Sequence, residues 1–241
     1  MIGRRAWRAG AASVLAALLS AGACVACDAQ PAPRAADVPF PVVEVPADSG
    51  HAVALMLTGD GGWARGDRAL AQTLARGGIA VVAIDSRAYL RAAHRTPESA
   101  SRDFAEVLAR YAALWHRDRL LLVGYSRGAD LAPFIASRFP DELRSRVALV
   151  ALVGFSDHAS FDFHWQDLLH DTRRSTDLPT RPELERVRDT RVLCVYGADE
   201  KDSVCPSLDG SAVRVGRIPG GHVLDGSTGA AAGVLVLNAL Q

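Results

Sequence analysis

Short, unbroken apolar runs alternate with longer segments of helical period along most of this 241-residue chain. Runs that are apolar at every position are typical of strands covered on both faces, as in a parallel sheet with crossover helices. The pattern predicts one α/β domain with a doubly wound, mostly parallel sheet. The expected strands are 42–45 at one edge, 52–57, 79–84, 120–123, 147–153, 192–196 and 213–218, and the expected helices are 67–76, 99–115, 128–138, 182–187 and 229–240.

One long irregular stretch, 156–180, interrupts this alternation. Connections of this length in a compact domain are usually lids or binding loops, so we expect a lid-like insertion. Its histidines recur every six residues, which suits neither a helix face nor a strand face. We therefore favour a polar lid over a metal site, and we expect no metal. The histidines and aspartates concerned are His158, His164, His170, Asp157, Asp162, Asp167 and Asp171.

Residues 1–27 have the pattern of a secretory signal peptide. Arginines are followed by an apolar run over 11–19 that is too short to span a bilayer, and then by small residues. Cleavage would leave Cys24 or Cys27 at the new N-terminus, so a lipid-anchored form is an alternative to a free one. Either way, the sequence predicts export to the periplasm.

The exported part begins with a Pro-rich tether, 28–41, ahead of a domain at 42–241. The cysteines of the domain are Cys194 and Cys205, an even pair that an oxidising compartment would allow to form a disulfide. We favour that bond, because a loop leaving a strand can fold back to the short separation it needs. Two buried thiols are the alternative.

Charge and composition exclude other classes of protein. The hydrophobic fraction is 49% and the charged fraction 22%, which is incompatible with wholesale disorder. Lys+Arg and Asp+Glu both number 27, so no positive excess indicates a nucleic-acid partner. Removal of the arginines in the leader would make the mature chain slightly acidic.

Residues Gly124–Gly128 have the pattern G-x-S-x-G and stand between an expected strand and an expected helix. This context is typical of the nucleophile elbow of α/β-hydrolases, a tight turn that exposes the serine hydroxyl at the carboxyl end of the sheet. Ser126 is thus the candidate nucleophile, and the backbone N–H of Arg127 would face developing negative charge. The strand and helix around the motif favour this interpretation over a structural glycine turn.

A serine hydroxyl needs a base, and α/β-hydrolases supply serine, acid and histidine in that order. His222, in a Gly-Gly-His segment after the last strand, is the expected base. The acid should follow strand 192–196, where three carboxylates are available. We favour Asp202, because the segment up to Pro206 resembles the acid-then-proline loops of many hydrolases, ahead of Asp199 and Glu200.

The loop 58–63, which follows the first central strand and contains three glycines, should supply the second oxyanion donor. The N–H of Asp60 is the expected donor. Its carboxylate would repel an oxyanion unless it faced a cationic part of the substrate or an arginine. A turn aspartate bonded to its own backbone is an equal alternative. Gly61, Trp63 and Tyr125, with Asp60, are expected to contact substrate.

Five segments, in this order, resemble the bacterial VirJ/AcvB virulence family. They are Thr58–Trp63, Gly124–Asp130 with Pro133 and Phe134, Phe161–His164, Tyr196 and Gly197 with Glu200, Asp202, Cys205 and Pro206, and Gly220–His222. The resemblance runs from about Val42 to the C-terminus, and the length suits the single-domain VirJ form. It implies an α/β-hydrolase fold, a periplasmic location and a link to type IV secretion. The AcvB branch implies hydrolysis of lysyl-phosphatidylglycerol.

By the same resemblance, Ser126 and His222 are catalytic, Asp202 is the acid, and no cofactor is needed. The implied substrate is an aminoacylated phospholipid or another ester, with contacts to a membrane surface and to secretion-system proteins. The family commonly has a second histidine where this chain has Val223. A general periplasmic esterase and a non-catalytic accessory protein remain alternatives.

The proposed lipid substrate assigns roles to charged residues. Asp60 would face the ammonium groups of the aminoacyl part. Arginines of the insertion would meet anionic headgroups, although a solvated face is the more usual meaning of such charges. They are Arg173, Arg174 and Arg181.

Overall fold

A seven-stranded sheet lies at the centre of the computed structural model, which describes residues 38–163, 173–208 and 212–241. The strand order is β1-β3-β2-β4-β5-β8-β9. Within this sheet β1 pairs antiparallel with β3, and every other pairing is parallel. The strands are β1 (Val42–Val45), β2 (Ala52–Leu57), β3 (Ile79–Ile84), β4 (Arg119–Tyr125), β5 (Val147–Val153), β6 (His158–Ala159), β7 (Leu178–Pro179), β8 (Val192–Gly197) and β9 (Val213–Ile218).

Helices cover both faces of the sheet. Successive side chains of β2 alternate between two cores: Leu55 packs with Phe104 of α3, and Met56 packs with Leu70 of α1 and Val236 of α7. All of these side chains are buried, which explains why the central strands are apolar at every position. The helices are α1 (Arg65–Arg76), α2 (Ser86–Ala92), α3 (Pro97–Leu114), α4 (Arg127–Ala136), α5 (Asp141–Arg144), α6 (Thr180–Arg186) and α7 (Gly226–Ala239), with a 3₁₀ turn at Cys205–Leu208.

The predicted fold class is confirmed, with all seven expected strands and five expected helices present within a few residues. The short helices α2 and α5 were not predicted. α2 has only seven residues, and its start depends on the Asp85 side chain, which accepts a hydrogen bond from the Ala88 N–H at 2.8 Å. The predicted irregular insertion contains the antiparallel pair β6 and β7, and its residues 164–172 lie outside the described part.

The N-terminal boundary of the domain differs from the expected one. Phe40, within the predicted tether, packs its ring against Tyr89 and Phe104 with centroid distances of 5.1 and 6.0 Å. Residues 38–41 therefore belong to the folded domain. The predicted signal peptide, 1–27, and the rest of the tether lie outside the described residues.

The topology brings six loops to one end of the sheet. Because β2, β3, β4, β5, β8 and β9 are parallel, the loops that follow them all leave the sheet at its carboxyl end. These loops contain all the residues predicted to be catalytic. In the described ranges, none of the helices combines the length and apolar character required to cross a bilayer.

Candidate active site

Ser126 occupies a strained turn between β4 and α4. Its φ of 53° and ψ of −125° lie in a region that residues with side chains rarely adopt. Gly124 and Gly128 allow the turn, because ideal Cβ atoms on them would lie 2.2 Å from the carbonyl oxygens of Gly128 and Leu57, respectively. The G-x-S-x-G segment therefore folds into the expected turn, with the serine at the carboxyl end of β4.

His222 lies in the loop between β9 and α7, beside this serine. Ser126 Oγ is 2.7 Å from His222 Nε2, which is hydrogen-bonding distance. The imidazole side chain is 45% exposed, so a substrate can reach it from solvent. The fold thus brings together two predicted residues that are 96 positions apart in sequence.

The carboxylate on the other side of the imidazole belongs to Glu200. Glu200 Oε1 is 2.6 Å from His222 Nδ1, and the Glu200 side chain is only 6% exposed. Its second oxygen, Oε2, accepts a hydrogen bond from the Gly197 N–H at 3.1 Å. Ser126, His222 and Glu200 therefore form an unbroken series of hydrogen bonds.

Asp202, which we favoured from the sequence, does not occupy this position, and neither does Asp199. Both are exposed, and the Asp199 N–H donates to Gly220 O at 2.8 Å. The difference arises in a tight turn after β8, where the Glu200 N–H donates to Gly197 O at 3.0 Å. This turn folds position 200 back towards the strand end, while position 202 continues into an exposed bend.

Gly154, directly after β5, is a site residue that the sequence analysis missed. Its φ is +67°, and an ideal Cβ there would lie 3.0 Å from His222 Cε1 and 3.6 Å from Glu200 Oε1. A side chain at this position would crowd the imidazole and would lie at ordinary contact distance from its carboxylate partner. β5 lies next to β4, the strand that ends just before Ser126. A glycine directly after β5 was the signal that could have identified this residue.

The loop 58–63 lies beside Ser126, the candidate nucleophile, as expected for an oxyanion loop. An ideal Cβ on Gly59 would lie 3.0 Å from the Ser126 Cβ, and the Gly62 N–H donates to Gly59 O at 3.0 Å in a tight turn. Arg127 is the first residue of α4, where the backbone N–H groups and the helix dipole favour negative charge. The oxyanion roles of the Asp60 and Arg127 N–H groups remain predictions.

The Asp60 carboxylate pairs with an arginine. Its Oδ1 is 2.5 Å from Arg127 Nε, and the Arg127 side chain is buried. The guanidinium also donates to Ser160 O at 3.2 Å, so it connects the oxyanion loop to the insertion. Of the alternatives left by the sequence, the structure therefore shows the arginine partner, which offsets the charge that would otherwise oppose an oxyanion.

The other predicted substrate contacts differ in their surroundings. Gly61 is exposed, whereas Trp63 is half-buried against the core formed with α1 and α7. The half-buried Tyr125 bonds through its hydroxyl to the backbone of the His222 loop. A substrate contact at these residues remains a prediction.

The described part of the insertion forms polar pairs. Asp157 accepts from Arg173 at 3.0 Å and lies 2.8 Å from His158 Nδ1, and Asp162 lies 2.7 Å from His94 Nδ1. Within the described residues, His, Cys, Asp and Glu form no group of three or more that could hold a metal ion. Four residues of the predicted lid lie outside the described part of the chain: His164, His170, Asp167 and Asp171.

A disulfide joins Cys194, in β8, to Cys205, with a Cα–Cα distance of 5.4 Å. Both residues are fully buried. The sequence had left two buried thiols as the alternative to this bond. The segment closed by the bond contains Glu200, so the loop that carries the carboxylate is attached to β8 at both ends.

A buried carboxyl group lies shortly after the oxyanion loop, at the start of α1. Asp67, in the first turn of α1, is 1% exposed, and its Oδ2 accepts from the Ala64 N–H at 3.2 Å. Its other oxygen, Oδ1, is buried and has no hydrogen-bond partner among the described residues. Burial raises the pKa of Asp67 from 3.8 to about 6, although the Ala64 N–H lowers it.

Replacing Asp67 with asparagine is expected to flatten the pH dependence of stability. The unfolded chain releases this proton near pH 3.8 and the folded chain near pH 6. Between these values the folded state binds more protons, so wild-type stability falls as the pH rises, by about 3 kcal/mol. The asparagine side chain cannot ionise, so the Asp67→Asn variant should be more stable than wild type at about pH 8 in urea denaturation.

Asp225→Asn provides the matched control. The pKa of Asp225, the N-cap of α7, is lowered to about 2, chiefly by the Thr228 N–H, so this group titrates below the range tested. Its replacement should leave the slope between about pH 4 and pH 8 unchanged. An Asp67→Asn protein with the wild-type slope would contradict the assignment.

Residues 51–241 match the family described as "Bacterial virulence protein (VirJ)". The chain belongs to the VirJ family. This match covers every site residue described above, from the oxyanion loop to the loop 219–225 that carries His222, here called the histidine loop. No curated protein sequence is significantly similar to this VirJ-family chain.

Solved structures similar to this VirJ-family chain share the α/β-hydrolase fold. Est1E from Butyrivibrio proteoclasticus is 15% identical, with a TM-score of 0.54 over 83% of this chain and 93% of its own. TT1662 from Thermus thermophilus is 16% identical, with a TM-score of 0.56 over 83% and 93%. Proline iminopeptidase from Mycobacterium smegmatis is 15% identical, with a TM-score of 0.56 over 83% and 93%. At this identity the similarity establishes the fold alone.

Proposed function

We propose that the protein is a serine hydrolase that cleaves an ester through Ser126, His222 and Glu200. The observation that carries the proposal is the unbroken series of hydrogen bonds from Ser126 Oγ through both imidazole nitrogens to the buried Glu200 carboxylate. A serine hydroxyl becomes nucleophilic when a base stands ready to accept its proton. An oriented imidazole supplies that base.

In the proposed reaction, Ser126 Oγ attacks the ester carbonyl while its proton passes to His222 Nε2. The tetrahedral oxyanion is stabilised by the N–H groups of Asp60 and Arg127. His222 then returns the proton to the leaving alcohol, and an acyl-enzyme remains on Ser126. Water, activated by the same imidazole, hydrolyses this ester and releases the acid.

Glu200 orients the imidazole and stabilises its charged form. Its carboxylate accepts from Nδ1–H, which leaves Nε2 free of a proton and able to act as base. Because the Glu200 side chain is nearly inaccessible to water, the charge interaction with the imidazolium is only weakly screened. These contacts support Glu200, and not Asp202, as the acid of the proposed reaction.

For the substrate we propose an aminoacyl ester of phosphatidylglycerol, lysyl-phosphatidylglycerol. Membership of the VirJ family, together with its resemblance to the AcvB branch, supports this choice. The Asp60 carboxylate is paired with Arg127, so it adds little attraction for an ammonium group. The exposed carboxylates of Asp199 and Asp202, on the loop that carries Glu200, are better placed to attract the cationic aminoacyl part.

We further propose that the protein acts in the periplasm, beside a membrane surface and in connection with a type IV secretion system. The leader pattern of 1–27 and the Cys194–Cys205 disulfide support an oxidising compartment. Lipid attachment at Cys24 or Cys27 would keep the domain near a phospholipid substrate. The exposed Arg181, whose guanidinium bonds to the Ser207 hydroxyl, adds positive charge for anionic headgroups.

The test is a substrate panel with the purified protein and its Ser126→Ala variant. Lysine release from vesicles containing lysyl-phosphatidylglycerol is measured beside hydrolysis of p-nitrophenyl esters and labelling by a fluorophosphonate. The proposal expects lysine release and labelling by wild type, and neither by Ser126→Ala. Ester hydrolysis without lysine release would identify a general esterase. An unlabelled wild type that hydrolyses nothing would identify a non-catalytic accessory protein.

A further inference from the structure

One tyrosine hydroxyl holds the backbone of the histidine loop. The Tyr125 hydroxyl donates to His222 O at 3.1 Å and accepts from the Leu224 N–H at 3.1 Å. These two groups lie on either side of Val223, which is 81% exposed. A single side chain therefore fixes the main chain immediately before and after this exposed residue.

Tyr125 is itself held by the centre of the sheet. It is the last residue of β4, which lies between β2 and β5, and it immediately precedes Ser126. The same strand thus carries the nucleophile and the side chain that holds the loop of the base. Any shift of this strand end would move both together, so the separation of Ser126 Oγ and His222 Nε2 is preserved.

The ring and the hydroxyl both suit this role. The Tyr125 ring stacks beside the His222 imidazole, with centroids 6.0 Å apart and planes inclined by 29°. Burial raises the pKa of the Tyr125 hydroxyl, so it stays protonated and able to donate. A neutral hydroxyl can donate to one backbone group and accept from the other at the same time.

We infer that Tyr125 is a positioning residue that fixes His222 against Ser126 by bonding to both sides of the histidine loop. This inference rests on the proposed function for its kinetic consequence. It differs from the substrate contact expected of Tyr125 from the sequence. Fixing a base within a fraction of an ångström of the proton it accepts raises turnover, and it leaves substrate affinity unchanged.

The test variant is Tyr125→Phe, which keeps the ring and removes the hydroxyl. We expect kcat for p-nitrophenyl acetate to fall roughly 10- to 100-fold with KM within about twofold of wild type. The rate of labelling of Ser126 by a fluorophosphonate should fall in parallel. Hydrogen exchange of the Leu224 amide should become faster, because its acceptor has been removed.

Tyr111→Phe is the matched control. The Tyr111 hydroxyl donates to Glu44 Oε1 at 2.7 Å, and Tyr111 lies in α3, outside the site. This variant also loses one tyrosine hydroxyl and its hydrogen bond. It therefore reports how far such a loss affects activity when it occurs outside the site. We expect its kcat, labelling rate and Leu224 amide exchange to match those of wild type.

Two results would overturn the inference. One is a Tyr125→Phe protein that keeps wild-type kcat while Ser126→Ala is inactive. If KM alone changes in that protein, Tyr125 contacts the substrate instead. The other is unchanged Leu224 amide exchange, a readout that needs no turnover. Failure of the proposed function would instead appear as an inactive, unlabelled wild type whose Leu224 amide still exchanges faster in Tyr125→Phe.

Discussion

Replacing Glu200 with glutamine is expected to lower kcat by about 10⁴-fold, whereas Asp202→Asn should change it less than about twofold. Glutamine has nearly the size and shape of glutamate, so the fold should survive. It cannot stabilise the imidazolium by charge, however, and its NH₂ group can face Nδ1, which reverses the tautomer that Nε2 needs. Steady-state kinetics of the two variants with a p-nitrophenyl ester provides the measurement.

Comparison of Glu200→Gln with Asp202→Asn shows whether Glu200 or Asp202 is the acid. Both remove one carboxylate from the same loop, but only Glu200 lies within hydrogen-bonding distance of His222. Circular dichroism and the free energy of unfolding should show that each variant is folded. A large loss of activity in Asp202→Asn, with little loss in Glu200→Gln, would restore the assignment made from the sequence.

Replacing Gly154 with alanine is expected to lower kcat by roughly 10- to 100-fold. The new Cβ would lie 3.0 Å from His222 Cε1, so the imidazole must give way by a few tenths of an ångström from its place between Ser126 and Glu200. A misplacement of about 1 Å can cost about 100-fold, and a smaller displacement costs less. The positive φ of Gly154 also makes alanine unfavourable by about 1–2 kcal/mol, which urea denaturation measures separately.

Gly221→Ala is the control for this prediction. Gly221 immediately precedes His222, and an ideal Cβ on it would meet nothing within 4 Å. We expect its kcat to stay within about threefold of wild type, since no atom of the site has to move. Equal losses in the two variants would show that the histidine loop is sensitive to any added side chain, and that the space beside Gly154 has no special role.

The sequence was sufficient to predict the sheet because its central strands are covered on both faces. A strand such as β2, whose side chains alternate between two buried cores, is apolar throughout and stands out from the polar helical segments. Ser126 and His222 were identifiable for a related reason. Each lies next to glycines directly after a recognisable strand, so the parallel topology alone brings them to one end of the sheet.

The carboxylate partner of His222 could not be identified from its position after a strand. Asp199, Glu200 and Asp202 all follow β8, and which of them meets the imidazole depends on a turn only four residues long. Gly154 was missed because its importance comes from the approach of two side chains that are distant in sequence. Such contacts are tertiary, and the glycine after β5 indicates only that a close approach is allowed there, not which side chains make it.

The two partners of the serine are secured by different kinds of bond. The segment with Glu200 is closed by a covalent link between Cys194 and Cys205, whereas the loop with His222 depends on hydrogen bonds to Tyr125. Warming weakens the second kind of attachment long before it breaks the first. Loss of activity on heating should therefore begin when His222 moves away from Ser126, while Glu200 stays attached to β8.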